Sequence, residues 1–349
     1  MDRKRTTIED VARAAGVSRQ TVSRAINDLG EISPRTRARV LRIAEEMGYR
    51  PSSIARGLAT RRTRTLGLVI PDVANPFFSD VARGAEHEGY AGGYNVFLCN
   101  TDEDPERELA VLRSLEEKRV DGVVLCSSRL DDDELRQVVA RQSAVVLVNR
   151  RLEPARAENG VGTVMLDDVA GGRMATQHLV DSGHRAVGFL AGPLASRSGR
   201  SRAGGYRAAC AAADLPYSPA WTIPCPAGVD GGHQAARDLL TARLELTALF
   251  CYNDLVAVGA LRACADLGRQ VPDDLALVGF DDIMLAALVT PPLTTCHVPR
   301  YELGAQAMRL LLNQIGDCSK EANQNSEAEQ NPCAEIVLRP ELVVRASAP

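Results

Sequence analysis

The 349-residue chain has no apolar run approaching the roughly 20 residues that a membrane-spanning helix needs. Its opening residues, MDRKRTTIED, are charged where a secretory signal carries an apolar core, so the expected compartment is the cytoplasm. The nine cysteines are odd in number and none is spaced C-x-x-C, which argues against a disulfide framework or a cysteine zinc site. The five histidines show no metal-ligand spacing, and neither G-x-x-x-x-G-K-[ST] nor G-x-G-x-x-G occurs. Neither a metal nor a cofactor is expected. Asp181, Ser182 and His184 are the residue types of a hydrolytic triad. Neighbours in one helix-ending turn cannot aim at a single atom, however. These absences point away from an enzyme.

An apolar content of 45% and a charged content of 25% are those of a globular chain, and the length allows more than one core. The net charge of −4 is unevenly placed. The first 64 residues hold 15 basic and 7 acidic side chains, net +8; the remaining 285 hold 26 and 38, net −12. A basic head on an acidic body suggests a polyanion partner for the head alone.

The head reads as three short helices. Thr7 and Asp10 form a capping box ahead of the first, whose expected apolar side is Val11, Ala14 and Ala15, with Gly16 as its stop. Ser33 and Pro34 open the third, with Val40, Leu41, Ile43, Ala44 and Met47 inward. The second, within GVSRQTVSRAIN, places Val22, Ala25 and Ile26 on one face. Its other face carries Arg19, Gln20, Ser23, Arg24 and Asn27, basic and without an acid. Two helices joined by a Gly-Val-Ser turn read as a helix-turn-helix, with the second entering a DNA major groove. Arg19, Gln20 and Arg24 suit base edges and Thr21 and Ser23 suit phosphates, with Ser18 in the same major-groove set.

Residues 51–65 read as a linker able to become a hinge helix. From Leu66, β-rich runs alternate with amphipathic segments, which predicts α/β layers with parallel sheets flanked by helices. Eight core strands split near 150–166 suggest two lobes. The first is expected over about 66–165 plus 297–315, the second over about 166–296 plus 335–349. The polar segment 316–334 reads as a disordered insertion before a last strand pair, IVLRPELVVR.

The stretch TIEDVARAAGVSRQTVSRAIN, followed by ISPRTRARVLRIAEEMGYRPSSIARGLA, closely resembles the LacI/GalR (lactose-repressor) family of bacterial transcription regulators. The resemblance continues through GLVIPDVANPFFSDVARGAE, HLVDSGHRAVGFLAGP and NDLVAVGALRACADLGRQVPDDLALVGFDD, so that it covers almost the whole chain. It implies a DNA-binding, usually dimeric repressor with a periplasmic-binding-protein-like body. It implies that Arg19 and Gln20 vary with operator sequence, and that Ala55 and Leu58 belong to a hinge helix, Leu58 wedging into the minor groove. It implies that Asn149, Arg202, Asn253 and Asp281 hold a small effector, a sugar or sugar derivative, with Phe77 and Phe78 as an aromatic wall; Arg150 stands at the same strand end. Asp254 reads as a helix cap and Asp282 as a cap or surface acid. An aromatic that relatives carry near CPAGVDGGH is missing here. The expected partners are a pseudo-palindromic double-stranded operator, the effector and a second copy of the chain, with no membrane. The alternatives are a body that senses another protein or no ligand, and a transport-type solute-binding protein, against which the basic head argues.

Overall fold

The computed structural model describes residues 6–27, 30, 32–50, 62–152, 161–216, 218–321 and 335–349, the side chains of 317–321 apart. The hinge residues Ala55 and Leu58 lie outside them, as do residues 322–334 of the expected insertion. The chain separates into two compact units, 1–64 and 65–349.

The smaller unit holds α1 (Ile8–Ala15), α2 (Arg19–Asn27) and α3 (Pro34–Glu46). None is long enough to persist alone in water, so mutual packing holds them. Val11, Val22 and Val40, one from each helix, are fully buried at the centre, with Ala12, Ala15, Ala25 and Ala44 around them. Local signals agree with that packing. Thr7 and Asp10 cap each other's backbone, Gly16 ends α1 at φ +63°, and Ser33 caps α3 ahead of Pro34. Two inward expectations fail: Ala14 and Leu41 are exposed, since α1 turns Ala12 inward in place of Ala14, and α3 buries Val40 and Ala44 while Leu41 faces out.

The larger unit is built on two six-stranded sheets. The first contains β1 (Thr65–Ile70), β2 (Asn95–Asn100), β3 (Gly122–Cys126), β4 (Val145–Val148), β5 (Gly162–Leu166) and β11 (Glu335–Leu338), in the order β11-β5-β4-β3-β1-β2. The second contains β6 (Val187–Leu190), β7 (Thr222–Ile223), β8 (Ala248–Cys251), β9 (Ala276–Asp281), β10 (Thr294–His297) and β12 (Glu341–Val343), in the order β12-β10-β9-β8-β6-β7. All pairings are parallel except β12 with β10. Central strands β3 and β9 are buried along their whole length, as strands covered on both faces must be.

The covering helices are α4 (Pro76–Ala91), α5 (Pro105–Glu117), α6 (Asp132–Val139), α7 (Asp168–Asp181), α8 (Arg197–Ala212), α9 (Val229–Ala242), α10 (Asp254–Asp266), α11 (Met284–Leu288) and α12 (Arg300–Glu321). α4 packs on α12 through a close glycine crossing. A Cβ added at Gly84 would lie 2.0 Å from the Tyr301 carbonyl oxygen, and one at Gly304 1.9 Å from that of Val81.

The chain passes between the sheets three times: from β5 into α7, from β10 into α12, and from β11 into β12. The last crossing corrects the expectation that 335–349 belongs to the second lobe as a strand pair. β11 pairs with β5 in the first sheet and β12 with β10 in the second. Arg339-Pro340 between them is not a tight-hairpin sequence, since such turns favour glycine and asparagine. The helix before the insertion also runs on through Glu321, past the expected boundary at 316.

Candidate functional site

On the smaller unit, the polar face of α2 is presented as the spacing predicts. Ser18, Arg19 and Gln20 are exposed, and Thr21, Ser23 and Arg24 are half-buried. Ser18 Oγ accepts the Thr21 backbone N–H at 3.1 Å and lies 2.9 Å from Thr21 Oγ1, so Ser18 caps the start of α2. Ser23 Oγ accepts from Asn27 Nδ2 at 3.3 Å. Arg19 lies 3.5 Å from Glu9, both well exposed, a pair that water screens and a phosphate or guanine can displace.

On the larger unit, residues from both sheets meet at the carboxyl ends of their strands, where open α/β folds bind ligands. Asn75 caps α4 through the Phe77 amide, which sets Phe77 and Phe78 edge to face at 5.0 Å. Asn149 follows β4 at φ +53°, and its Oδ1 accepts the Leu166 amide at 3.0 Å. Asn253 caps α10, Oδ1 accepting from Val256, while its Nδ2 donates to the Ala227 carbonyl at 3.0 Å. Asp281 closes β9 at φ +107°.

Arg202 reaches this point from α8 and is 3% exposed. Its Nε donates to Asp168 at 2.8 Å and its Nη1 to the Tyr252 carbonyl at 2.6 Å, and Nη2 lies 3.7 Å from Asp281. Its guanidinium carbon sits 3.6 Å from the centre of the Phe280 ring. Burial pushes the Asp281 carboxyl up to about 7, although Arg202 and Arg300 pull it down.

Phe77, Phe78, Asn149, Arg202, Asn253 and Asp281 all line one cavity of about 20 Å³, room for a single water. Arg150 is not among them. Its Nη2 donates to the Leu130 carbonyl at 3.0 Å and lies 2.8 Å from Asp132, and it borders a neighbouring cavity. Asn75, Glu103, Ser127, Ser198 and Tyr252 also line the small cavity, and sequence reasoning did not single them out. Tyr252 had a signal, since it directly precedes Asn253 at a strand end, and it brings an aromatic ring into the cavity where CPAGVDGGH offers none. Glu103 had none: it pairs with Arg129, distant in sequence.

Two acids depart from expectation. Asn253 is the cap, and Asp254 instead accepts from Thr295 Oγ1 at 2.6 Å and the Ile283 amide at 2.8 Å, fastening α10 to the strands beside it. Asp282 is neither cap nor surface acid, for it pairs with Arg345 at 2.7 Å and His297 at 3.0 Å. Among the described residues no cluster of ligating side chains could hold a metal ion, and no helix is long and apolar enough to cross a membrane.

Two family models match the chain. One, bacterial regulatory proteins of the lacI family, covers residues 7–52; the other, periplasmic binding proteins and sugar binding domain of the LacI family, covers 63–335. The HTH-type transcriptional repressor PurR of Haemophilus influenzae is 34% identical over 98% of both chains. The ribose operon repressor of Escherichia coli is 38% identical over 88% of this chain and 93% of its own. The lac repressor dimer bound to operator and the anti-inducer ONPF superposes with a TM-score of 0.82 at 26% identity, covering 99% of each chain. With a helix-turn-helix head, a two-sheet body and these matches along nearly its whole length, the chain belongs to the LacI family and is a DNA-binding transcriptional regulator.

Proposed function

We propose that this regulator is a homodimeric repressor whose affinity for a two-fold operator is set by a sugar or sugar derivative bound between the lobes. The observation that carries the reading is the convergence of Asn149, Arg202, Asn253 and Asp281 with the rings of Phe77, Phe78 and Tyr252 on one cavity. Arginine, carboxylate and amide groups can each share two hydrogen bonds with a vicinal diol, while the rings cover its apolar faces. The space these side chains enclose, about 20 Å³, is smaller than a sugar ring, and in this reading the lobes part to admit one. That motion couples the effector to the head: a ligand favouring one lobe geometry shifts the population competent for DNA. In the head, Arg19, Gln20 and Arg24 read bases, Thr21 and Ser23 contact backbone, and Ser18 acts through its cap. The hinge role of Ala55 and Leu58 rests on the family resemblance and is tested by Leu58→Ala, expected to weaken operator binding and leave effector binding intact.

The test of the effector reading is thermal melting of the full-length protein against neutral sugars, sugar derivatives and nucleosides. One compound should raise the midpoint, because a ligand of the native state stabilises it by mass action. Arg202→Lys keeps the charge but loses the fork, and should abolish that rise. An undiminished rise in this variant would remove Arg202 from the ligand site.

A further inference from the structure

Beside the small cavity lies a larger one of about 350 Å³, at the ends of β4 and β5 and the first turn of α8. Asn149 and Ser198 line both, so the two spaces adjoin. Arg150, Arg151 and Arg197 border the larger one. Arg151 is answered by Glu335. Arg150 and Arg197 must share a single carboxylate: Asp132 Oδ1 lies 2.8 Å from one and 2.5 Å from the other. Arg200 does not border the cavity but stands near enough for its charge to act on Arg150, its Nη1 donating to the Leu194 carbonyl. Burial, and then repulsion from Arg197, holds the Arg150 guanidinium below the ordinary arginine value.

Of the two acids that border the cavity, Asp168 is neutralised by a cation, whereas Asp167 keeps its charge and is turned to a helix start. Asp168 accepts from Arg202, and Asp167 accepts the Ala170 amide at 2.9 Å. A second observation is independent of charge. Arg150 is 1% exposed, yet its Nε has no hydrogen-bond partner. A buried donor without an acceptor is costly, so the Arg150 Nε calls for an acceptor such as an anion or a water.

We infer that the effector is a phosphate monoester of a sugar-type polyol, its ring in the Arg202 cleft and its phosphate in the larger cavity between Arg150 and Arg197. A phosphate supplies the acceptor oxygens and the negative charge that two guanidiniums sharing one carboxylate lack, and planar guanidinium forks match its geometry. Asn149 and Ser198 stand where ring and phosphate join. The inference rests on the cleft being the effector site.

The test is isothermal titration of the full-length protein with inorganic phosphate and with matched pairs: ribose and ribose 5-phosphate, glucose and glucose 6-phosphate, fructose and fructose 1-phosphate. Inorganic phosphate should bind saturably, and one ester should bind on the order of tenfold or more tighter than its parent. Arg197→Gln should erase both effects; Arg200→Gln, at an exposed position, should weaken them and serves if the first variant folds poorly. Esters no tighter than their parents, together with no saturable phosphate binding, would overturn the anion site. So would a preference that both variants retain. A neutral sugar that binds without any ester preference leaves the cleft reading standing and removes only the phosphate; silence from every compound counts against both.

Discussion

Arg202 is held by Asp168, the Tyr252 carbonyl and Asp281 and lies against the Phe280 ring, so its place in the cleft is set before any ligand arrives. That explains why truncation is a blunt probe: Arg202→Ala leaves the buried Asp168 carboxylate without its cation, a loss of about 3–5 kcal/mol by analogy with broken buried pairs. We expect its melting midpoint to drop well below that of Arg202→Lys. Asp281 carries a pH signature. Its folded value of about 7 stands above the ordinary carboxylate value, so the folded state holds the proton more tightly. This group's contribution to stability is therefore fully present at acid pH and lost as pH rises to about 7. Asp281→Asn cannot ionise. Its midpoint relative to wild type should climb between pH 5 and pH 8, and a constant difference would refute the assignment. Neither Arg202's partners nor the protonation of Asp281 was legible in the sequence. Both depend on Asp168 and β9 arriving from distant positions, and only the residue types and the strand-end placement could be read.

Elements were more legible where one local signal decided them. Thr7, Gly16, Ser33 and Pro34 mark the helix ends of the head, and each sits where capping chemistry puts it. The eight core strands carry their own short apolar runs. What failed was pairing: two-residue β7 and the short β10 lack a run long enough to notice, and nothing in IVLRPELVVR says that its halves join different sheets. For α2, exposed Arg19 is the reader to remove. Arg19→Ala should cost about 1–3 kcal/mol of specific binding if it bonds a base edge. A competition assay against operators altered one base pair at a time should show relaxed discrimination at one position. Weakening that is uniform across sequences would make Arg19 a phosphate contact instead. Between α4 and α12 the crossing is set by Gly84, whose added Cβ would meet rigid backbone. Gly84→Ala should therefore destabilise the body by at least about 2 kcal/mol. Calorimetry that shows an unchanged midpoint would mean that the two helices separate freely.

At the scale of the molecule, the charge division and the two-unit organisation were both visible in composition. The +8 of the first 64 residues predicts that operator affinity falls steeply as salt rises, while effector affinity responds less if the ligand is neutral and more if it carries a phosphate. Linkage adds a quantitative demand. Whatever factor the effector imposes on operator affinity, the operator must impose on effector affinity, and titrating each in the presence of the other checks it. The three passages between the sheets also have a meaning for translation. The head is complete within the first 64 residues, whereas both sheets receive an edge strand from the last 15. A nascent chain can thus own a finished DNA reader while its sensing half still lacks one strand on each side. A gene interrupted by a stop codon just upstream of Glu335 would therefore specify a chain with its whole DNA-binding head and a body short of an edge strand in each sheet.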